Sequence, residues 1–267
     1  MPKVSIIMGV YNGSSRVDKA ITSILHQSFQ DWEFLICDDG SSDDSFDVLN
    51  EFAKRDCRIK VLRNPTNLGL AKALNRCLEV ANGEYVARMD DDDYSHNNRI
   101  QEEVLFLDNH PEFAIVGTGR NMIDENGIWG KDVSSGERTS IDIFKGNSFA
   151  HPTVMIRRSA LDVVGGYSEY SWIGREEDTD LWCKLYTNGF KGTVIDSVLL
   201  DYYESRSSMV RRKYKYRIVE TRIRLKYMRQ LHIPFYYILY AFRPLLVGMV
   251  PRSIIFRVHH RRLSSTK

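Results

Sequence analysis

Along the first 110 residues, apolar positions fall into two kinds of stretch that alternate. The short kind is apolar at nearly every position: 3–10 (with Val4, Ile6, Ile7, Met8 and Val10), 32–37, 59–62 and 84–89. Runs of that length, rich in Val and Ile, predict strands buried on both faces. The longer kind repeats apolar residues three and four apart, as in Val17, Ala20, Ile21, Ile24 and Leu25, or Leu70, Leu74, Cys77, Leu78 and Ala81. That spacing predicts helices with one face against a sheet. Ser14 or Ser15 is placed to cap the first helix, and Asp43 opens a second that runs to about Lys54. Asn82-Gly83 stops the third, and Ser95 is placed to cap a fourth carrying Ile100, Val104 and Leu107. Alternation at this interval predicts an α/β fold: a Rossmann-like, mostly parallel sheet with helices on both faces.

Residues 113–204 are less regular. Strands are predicted at 113–116 and 153–156, a hairpin turn at Asn126-Gly127, and a helix around 160–164 ended by Gly165-Gly166. Glu176-Glu177-Asp178-Thr179-Asp180 leads into a helix through Leu181 to Tyr186, stopped by Asn188-Gly189. The pattern changes near Ser205. Residues 211–231 have helical periodicity under a cover of Arg and Lys, and 235–256 are strongly apolar but broken by Arg243-Pro244 and Pro251-Arg252. No charge-free apolar run reaches the ~18 residues of a membrane-spanning helix. Basic, aromatic and apolar residues together predict amphipathic helices lying in a membrane interface.

Charge divides the chain at the same place. The formal net charge is only +2, yet from Arg206 onward 16 Lys/Arg face one acid, Glu220, while residues 1–205 hold 21 Lys/Arg and 34 acids. An acidic body with a basic tail points to an anionic surface as partner. A nucleic-acid arm is the other reading of such a tail, and Phe235-Tyr236-Tyr237-Ile238-Leu239-Tyr240 favours lipid over nucleic acid. The four cysteines are widely separated without C-x-x-C spacing, which predicts free thiols in a reducing compartment, no disulfide and no zinc. The chain runs directly into its first strand without a signal-peptide pattern, so a cytoplasmic location is expected.

The chemistry concentrates in Ala87-Arg88-Met89-Asp90-Asp91-Asp92-Asp93-Tyr94. Four consecutive carboxylates raise one another's pKa, and either full solvation on a turn or a bound divalent cation relieves the repulsion. In parallel α/β sheets, ligands bind beyond the carboxyl ends of the strands. Tyr11-Asn12, Asp38-Asp39 and Asp90 to Asp93 all stand at such ends, so one shared cleft is expected and the cation reading moves ahead. A dinucleotide-binding dehydrogenase is disfavoured: Tyr11-Asn12-Gly13-Ser14 follows the first strand where G-x-G-x-x-G would stand.

Val4-Ser5-Ile6-Ile7-Met8-Gly9-Val10-Tyr11-Asn12, Asp38-Asp39-Gly40-Ser41-Ser42-Asp43, Asn67-Leu68-Gly69-Leu70 and the segment from Gly83 to Asp93 resemble glycosyltransferase family 2. The likeness continues through His151-Pro152-Thr153, Gly165-Gly166-Tyr167 and Glu177-Asp178-Thr179-Asp180-Leu181-Trp182, covering roughly residues 1–200. It implies the GT-A fold and inverting transfer of a sugar from a nucleotide diphosphate, with UDP the expected donor carrier. It implies a nucleotide-binding half at about 1–110, an acceptor half at about 111–204, and the basic helical tail at 205–267 as an addition.

The residue roles it implies agree with the chemistry of each cluster. Mn²⁺ or Mg²⁺ takes hard oxygen ligands and reconciles the acidic run with a diphosphate; the metal pair is Asp92 and Asp90, with Asp92 the direct ligand. Asp91 belongs with the nucleotide-binding residues, as a group beside the cation, and Asp93 is left as a flanking or solvated acid. Asp39 accepts the N–H of the nucleobase, Tyr11 stacks on the base, and Asp38 is an adjacent polar or structural group. Gly9 stands where some members carry Thr, which removes one contact to the nucleoside. Asp178 is the catalytic base for the acceptor hydroxyl, its pKa raised by neighbouring acids; helix capping by Asp178 or Asp180 is the plain structural alternative. His151, Glu177, Tyr167 and Trp172 are acceptor-side candidates, each with an equally ordinary packing role. The expected partners are a nucleotide-sugar, a glycan or lipid-linked acceptor, and an anionic membrane surface contacted from the cytoplasmic side. The expected role is bacterial surface-polysaccharide or lipopolysaccharide synthesis. The competing reading is a nucleotide-sugar-binding protein without catalysis, which retention of Asp92 and Asp178 disfavours.

Overall fold

The first strand, β1 (Val4–Val10), shows why the two apolar patterns alternate. Its even-numbered residues Val4, Ile6 and Met8 join one core and Ile7 the other, so both faces are covered. Helices α1 (Val17–Leu25) and α4 (Arg99–Asn109) close the first core with Ile21, Ile24, Ile100 and Leu107. Helix α3 (Leu70–Val80) closes the second with Ala73, Leu74 and Cys77. Each buried Ile or Leu contributes on the order of 1.5–3 kcal/mol from removal of apolar surface from water.

The computed structural model describes residues 1–204 and 214–264. The expected domain boundary at 205 and the start of the tail helix at Arg211 lie outside them. Strands β1, β2 (Trp32–Asp38), β3 (Ile59–Arg63) and β4 (Tyr85–Arg88) are parallel, as the spacing predicts, and the structure sets their order as β3-β2-β1-β4. Helix α2 (Ser45–Arg55) lies between β2 and β3 in sequence.

The second half is mixed. Strand β9 (Val154–Arg157) runs antiparallel between β4 and β6 (Ile115–Asp124), and β10 (Gly192–Tyr203) returns parallel to β6. Two-residue β5 (Tyr94–Ser95) and three-residue β8 (Gly136–Arg138) pair with β10, and β7 (Gly127–Asp132) pairs with β6 across the expected Asn126-Gly127 turn. The twelve-residue β10 escaped the sequence reading because register shifts at 194–198 and 198–200 break its period-two pattern. Helix α5 (Ser140–Lys145) escaped as well, although Thr139 and Asp142 form a reciprocal capping box that the sequence displays as T-x-x-D. Helices α6 (Arg158–Val164) and α7 (Glu177–Thr187) fall where predicted.

Two expected caps are spent elsewhere. The Ser14 hydroxyl donates to Asp43 Oδ2 at 2.8 Å, and no side chain caps α1. The Ser95 hydroxyl accepts from Arg99 Nε at 2.7 Å and Gln27 Nε2 at 3.1 Å while its backbone sits in β5.

The tail divides into a buried part and an exposed part. Helix α8 (Tyr214–Met228) sends Ile223, Tyr227 and Met228 into the core beside α7, and Leu231, Ile233 and Ala241 follow. Helices α9 (Ile238–Ala241), α10 (Arg243–Met249) and α11 (Arg252–Ser264) complete it. Along them Phe235, Tyr236, Leu239, Leu246, Met249, Ile254 and Val258 stand exposed. Among the described residues no single helix is long and apolar enough to cross a membrane; the stretches Phe235–Met249 and Arg252–Ser264 would qualify only as a pair bent by 111°.

Candidate active site

The carboxyl ends of β1, β2 and β4 meet because the three strands are neighbours in register, Val10 beside Asp38 and Ile7 beside Arg88. After β1 the chain turns at Asn12, whose φ of 49° is rare for a residue other than glycine. Side chains of the second loop hold that turn: Ser41 Oγ accepts from Asn12 N at 3.0 Å, Ser45 Oγ accepts from Gly13 N at 2.8 Å, and Asn12 Oδ1 accepts from Ser42 N at 2.9 Å. Tyr11 is left 44% exposed just beyond the end of β1. Arg16 then ties the first loop to the third. Its guanidinium donates to the Asn12 carbonyl at 3.0 Å and to Asp91 Oδ2 at 2.8 Å. A Cβ at Gly13 would lie 2.5 Å from that Asp91 oxygen, so a larger residue there would push the carboxylate aside. The three polar clusters thus converge as expected. Arg16, which joins two of them, is a site residue the sequence pattern does not mark.

Asp39 is buried with its carboxylate already engaged. It accepts from Asn64 Nδ2 at 2.7 Å, Leu68 N at 2.9 Å and Gly69 N at 2.8 Å. Gly69 has φ 95°, which lets its N–H point back at the carboxylate from the position before α3. A carboxylate offers about four lone-pair sites, so three donors leave room for one more N–H. Asp38 is structural: wholly buried, it pairs with Arg63 Nε at 3.2 Å.

Within the acidic run the four residues separate. Asp90 Oδ1 accepts from Arg88 Nη2, and Asp90 stays partly exposed. Asp91 is pushed above the usual range by burial, which Arg16 only partly offsets. Asp92 is exposed at the rim, yet its carboxyl is pushed up to about 7, first by the shelter of the loop and then by Asp90 and Asp91. Of the two readings of Asp93, flanking or solvated, the solvated one is corrected: it is 1% exposed and accepts from Tyr203 N at 2.9 Å, fastening the loop to the end of β10. Burial and then Asp90 and Asp92 raise its pKa well above the ordinary value.

A hard divalent cation fits this donor set. Asp92 is exposed and Asp90 partly so, and the repulsion of Asp90 and Asp91 at Asp92 is only partly offset by Arg16. Among the described residues no three His, Cys, Asp or Glu side chains form a closed cage. An open pair suits an ion that takes its other ligands from phosphate and water.

The opposite wall starts at α7. Burial and then Asp178 push Glu177 up to about 8, so the crowding expected at this helix start is felt at Glu177. Asp178 is half-buried in the first turn, its Oδ1 accepting from Thr179 N at 2.7 Å. Neither it nor Asp180 occupies the cap position, which is Glu176. Asp180 is fully buried and serves the tail, accepting from Ser168 Oγ at 2.6 Å, Tyr227 OH at 3.0 Å and Lys226 Nζ at 3.2 Å.

Arg88 lies between the two walls, 2% exposed. Burial works against its charge, but Asp90, Tyr167 and Glu177 more than offset that, and its pKa stands above the ordinary arginine value. Beside it His151 Nε2 and the Tyr167 hydroxyl share a hydrogen bond of 2.8 Å. Burial, then Arg88, depress the His151 pKa well below its usual value, so the imidazole is neutral. Trp172 lies farther out, stacked on Tyr170 with the Arg222 guanidinium 4.2 Å from its ring centroid.

A model of glycosyl transferase family 2 matches residues 5–165, which include both loops of the nucleotide side and the whole acidic run. The chain belongs to glycosyltransferase family 2. This glycosyltransferase is 35% identical over 267 residues to EpsE of Bacillus subtilis, a protein assigned to the glycosyltransferases; the match spans 100% of this chain and 96% of that one. It is 31% identical over 214 residues to WfgD of Escherichia coli, described as a UDP-Glc:alpha-D-GlcNAc-diphosphoundecaprenol beta-1,3-glucosyltransferase, covering 79% and 81% of the two chains. Its fold is that of TarS from S. aureus in complex with UDP-GlcNAc, with TM-score 0.69 at 20% identity over 95% of this chain and 73% of that one. The architecture is therefore GT-A, and a divalent cation is common among enzymes of this kind.

Proposed function

We propose that this glycosyltransferase moves a sugar with inversion from a UDP-sugar to a hydroxyl of a lipid-linked glycan at an anionic membrane surface, and that it needs Mn²⁺ or Mg²⁺. The observation that carries the reading is the meeting at one sheet edge of Tyr11, Asp39 and the acidic run, with Arg88 between that run and Glu177 in the first turn of α7. Tyr11 stacks on the base, the remaining lone pair of Asp39 accepts its imide N–H, and Asp91, held by Arg16, borders the nucleotide. Asp92, with Asp90, would hold the cation, which supplies Lewis-acid stabilisation of the departing diphosphate. Asp178 takes the proton of the acceptor hydroxyl as that oxygen bonds to the anomeric carbon and the bond to diphosphate breaks. Glu177, protonated near neutrality, stays uncharged beside it. His151, neutral and bonded to Tyr167, and Trp172 shape the acceptor wall.

The membrane part rests on the exposed apolar ridge from Phe235 to Val258, interleaved with Arg243, Arg252 and Arg257. Such a ridge suits insertion at the headgroup level, on the cytoplasmic side where anionic lipid is expected. The likeness to an enzyme named for a diphosphoundecaprenol acceptor supports the lipid-linked substrate.

Donor choice is tested by thermal shift with UDP-, GDP- and dTDP-sugars, with and without Mn²⁺; a UDP-sugar should stabilise most and only with metal. Asp92→Ala should lose metal-dependent turnover, and turnover unchanged across a Mn²⁺ titration would remove Asp92 from the metal site.

A further inference from the structure

Apart from the transfer site, one cleft gathers cations that the mechanism above does not use. It has a volume of about 220 Å³ and lies between β6, β8, the loop after α5, and α11. Among its lining residues three are arginines, Arg120, Arg138 and Arg262, against one acid, Asp132. Arg138 is 6% exposed, and its guanidinium bonds are made to neutral oxygens: Ser134 O at 2.8 Å, Ser134 Oγ at 3.2 Å and Ser135 O at 3.4 Å. Its Nε is buried with no hydrogen-bond partner, and so is the Nε of Arg120. Arg120 lies over the Tyr202 ring at 4.6 Å and reaches Asp132 only at 3.4 Å. A buried guanidinium without a touching carboxylate is costly, and an anion in the cleft would remove that cost.

The position of the cleft indicates which anion. Tyr202, under Arg120, is followed by Tyr203, whose N–H donates to Asp93 Oδ1 of the acidic run at 2.9 Å. The cleft therefore adjoins the transfer site on the same sheet edge. Its outer wall is α11, anchored by a Trp129–His260 stack with centroids 4.8 Å apart and by His259 Nε2 at 3.0 Å from Glu204. That helix also carries exposed Ile254 and Val258. Exposed Ile254 and Val258, the basic cleft lined by Arg262 of the same helix, and the acidic run beyond Tyr203 match the tail, phosphoryl group and sugar of a lipid-linked glycan. Guanidinium forks match phosphoryl oxygens bidentately, and the volume equals that of several waters at about 30 Å³ each, enough for such a group.

We propose that this cleft is a phosphoryl subsite for the acceptor, binding the phosphate or diphosphate ester that joins the glycan to its lipid. The proposal rests on the lipid-linked acceptor put forward above.

The test uses the full chain in EDTA, titrated with inorganic pyrophosphate and followed by thermal shift. Wild type should show saturable stabilisation, and Arg138→Gln and Arg262→Gln should each weaken it by roughly tenfold or more, the scale of one charge-assisted hydrogen bond. With a diphosphate-linked acceptor, KM for that acceptor should rise by a similar factor while KM for the donor holds. The advantage of this acceptor over the same glycan without its phosphoryl group should disappear. If Arg138→Gln does not fold, Arg262→Gln, on the opposing wall, carries the test. Pyrophosphate affinity unchanged in the folded variants overturns the subsite. Variants that lose binding to phosphatidylglycerol vesicles but keep the acceptor KM would reassign the cleft to a lipid headgroup and overturn the acceptor role. Should the chain transfer no sugar to lipid-linked acceptors, the pyrophosphate titration still reads the cleft, so the two failures remain distinct.

Discussion

Glu103 offers a measurement of how the site scaffold is held. It lies on α4, fully buried, with neither carboxylate oxygen hydrogen-bonded. Its charged neighbour Arg99 donates from Nη1 to the Arg88 carbonyl at 3.0 Å and the Pro152 carbonyl at 2.8 Å, bridging the strand before the acidic run and the turn carrying His151. Burial pushes the Glu103 carboxyl up to about 8 from 4.5, with Arg99 pulling the other way. A carboxyl whose folded pKa lies above its unfolded value holds a proton in the native state that the unfolded chain has already shed. Its stabilising contribution is complete below about pH 4.5 and is lost as pH rises toward 8. At 1.36 kcal/mol per pH unit, on the order of 3 kcal/mol is gone by pH 7. Glu103→Gln removes the titration and keeps the shape. Urea unfolding at pH 5, 6, 7 and 8, followed by tryptophan fluorescence, should give a wild-type stability that falls relative to the variant as pH rises. The gap should approach ~3 kcal/mol, or roughly 6–12 °C in Tm for a chain of this size. Reading the difference between the two proteins cancels the other raised carboxyls, Asp91, Asp92, Asp93 and Glu177. Parallel pH curves would refute the reasoning and show Glu103 ionised beside Arg99 at every pH tested.

Other outcomes follow from the site and the tail. Asp178→Asn should reduce kcat by a factor on the order of 10² or more while leaving nucleotide binding intact; if it retains near-normal turnover and Glu177→Gln does not, the base is Glu177. Tyr227→Phe removes a hydrogen bond to wholly buried Asp180 and should lower stability by about 1–2 kcal/mol in calorimetry, whereas an unchanged Tm would mean that Lys226 and Ser168 satisfy Asp180 alone. Full-length protein should float with anionic vesicles at low salt and release as salt rises. Leu246→Glu, on the exposed ridge, should weaken flotation, and equal binding by wild type and variant would separate the ridge from the membrane.

Much of the first half is legible in order of residues alone because its contacts are local and periodic. The strand runs of β1 to β4 and the stripes of α1 and α3 specify which faces are buried, and strand-helix alternation places Tyr11, Asp38-Asp39 and Asp90–Asp93 on one edge. The family motifs mark Asp92 and Asp178 by type and spacing. The second half resists because its strands pair across long separations, with β9 inserted between β4 and β6 and bulges in β10 that erase alternation. In the tail, charge drew attention to the surface while Ile223, Tyr227 and Met228 carried α8 into the core.

The acidic run marks the division between the two sources of information. Composition and position determined that four carboxylates at a strand end need a compensating partner. Only the tertiary structure decided what each one meets: Arg88 for Asp90, Arg16 for Asp91, the Tyr203 amide for Asp93, and an open rim for Asp92. Likewise Arg120 and Arg138 are unremarked in the linear chain and become a cationic cleft only when α11 packs on β7, beside β6 and β8. The physical reason is range. Periodic burial is encoded between neighbours three or four residues apart, whereas a charge takes its meaning from whatever the fold brings within a few ångströms: Arg88 stands two positions from Asp90, but Arg16 and the Tyr203 amide come from 75 and 110 positions away.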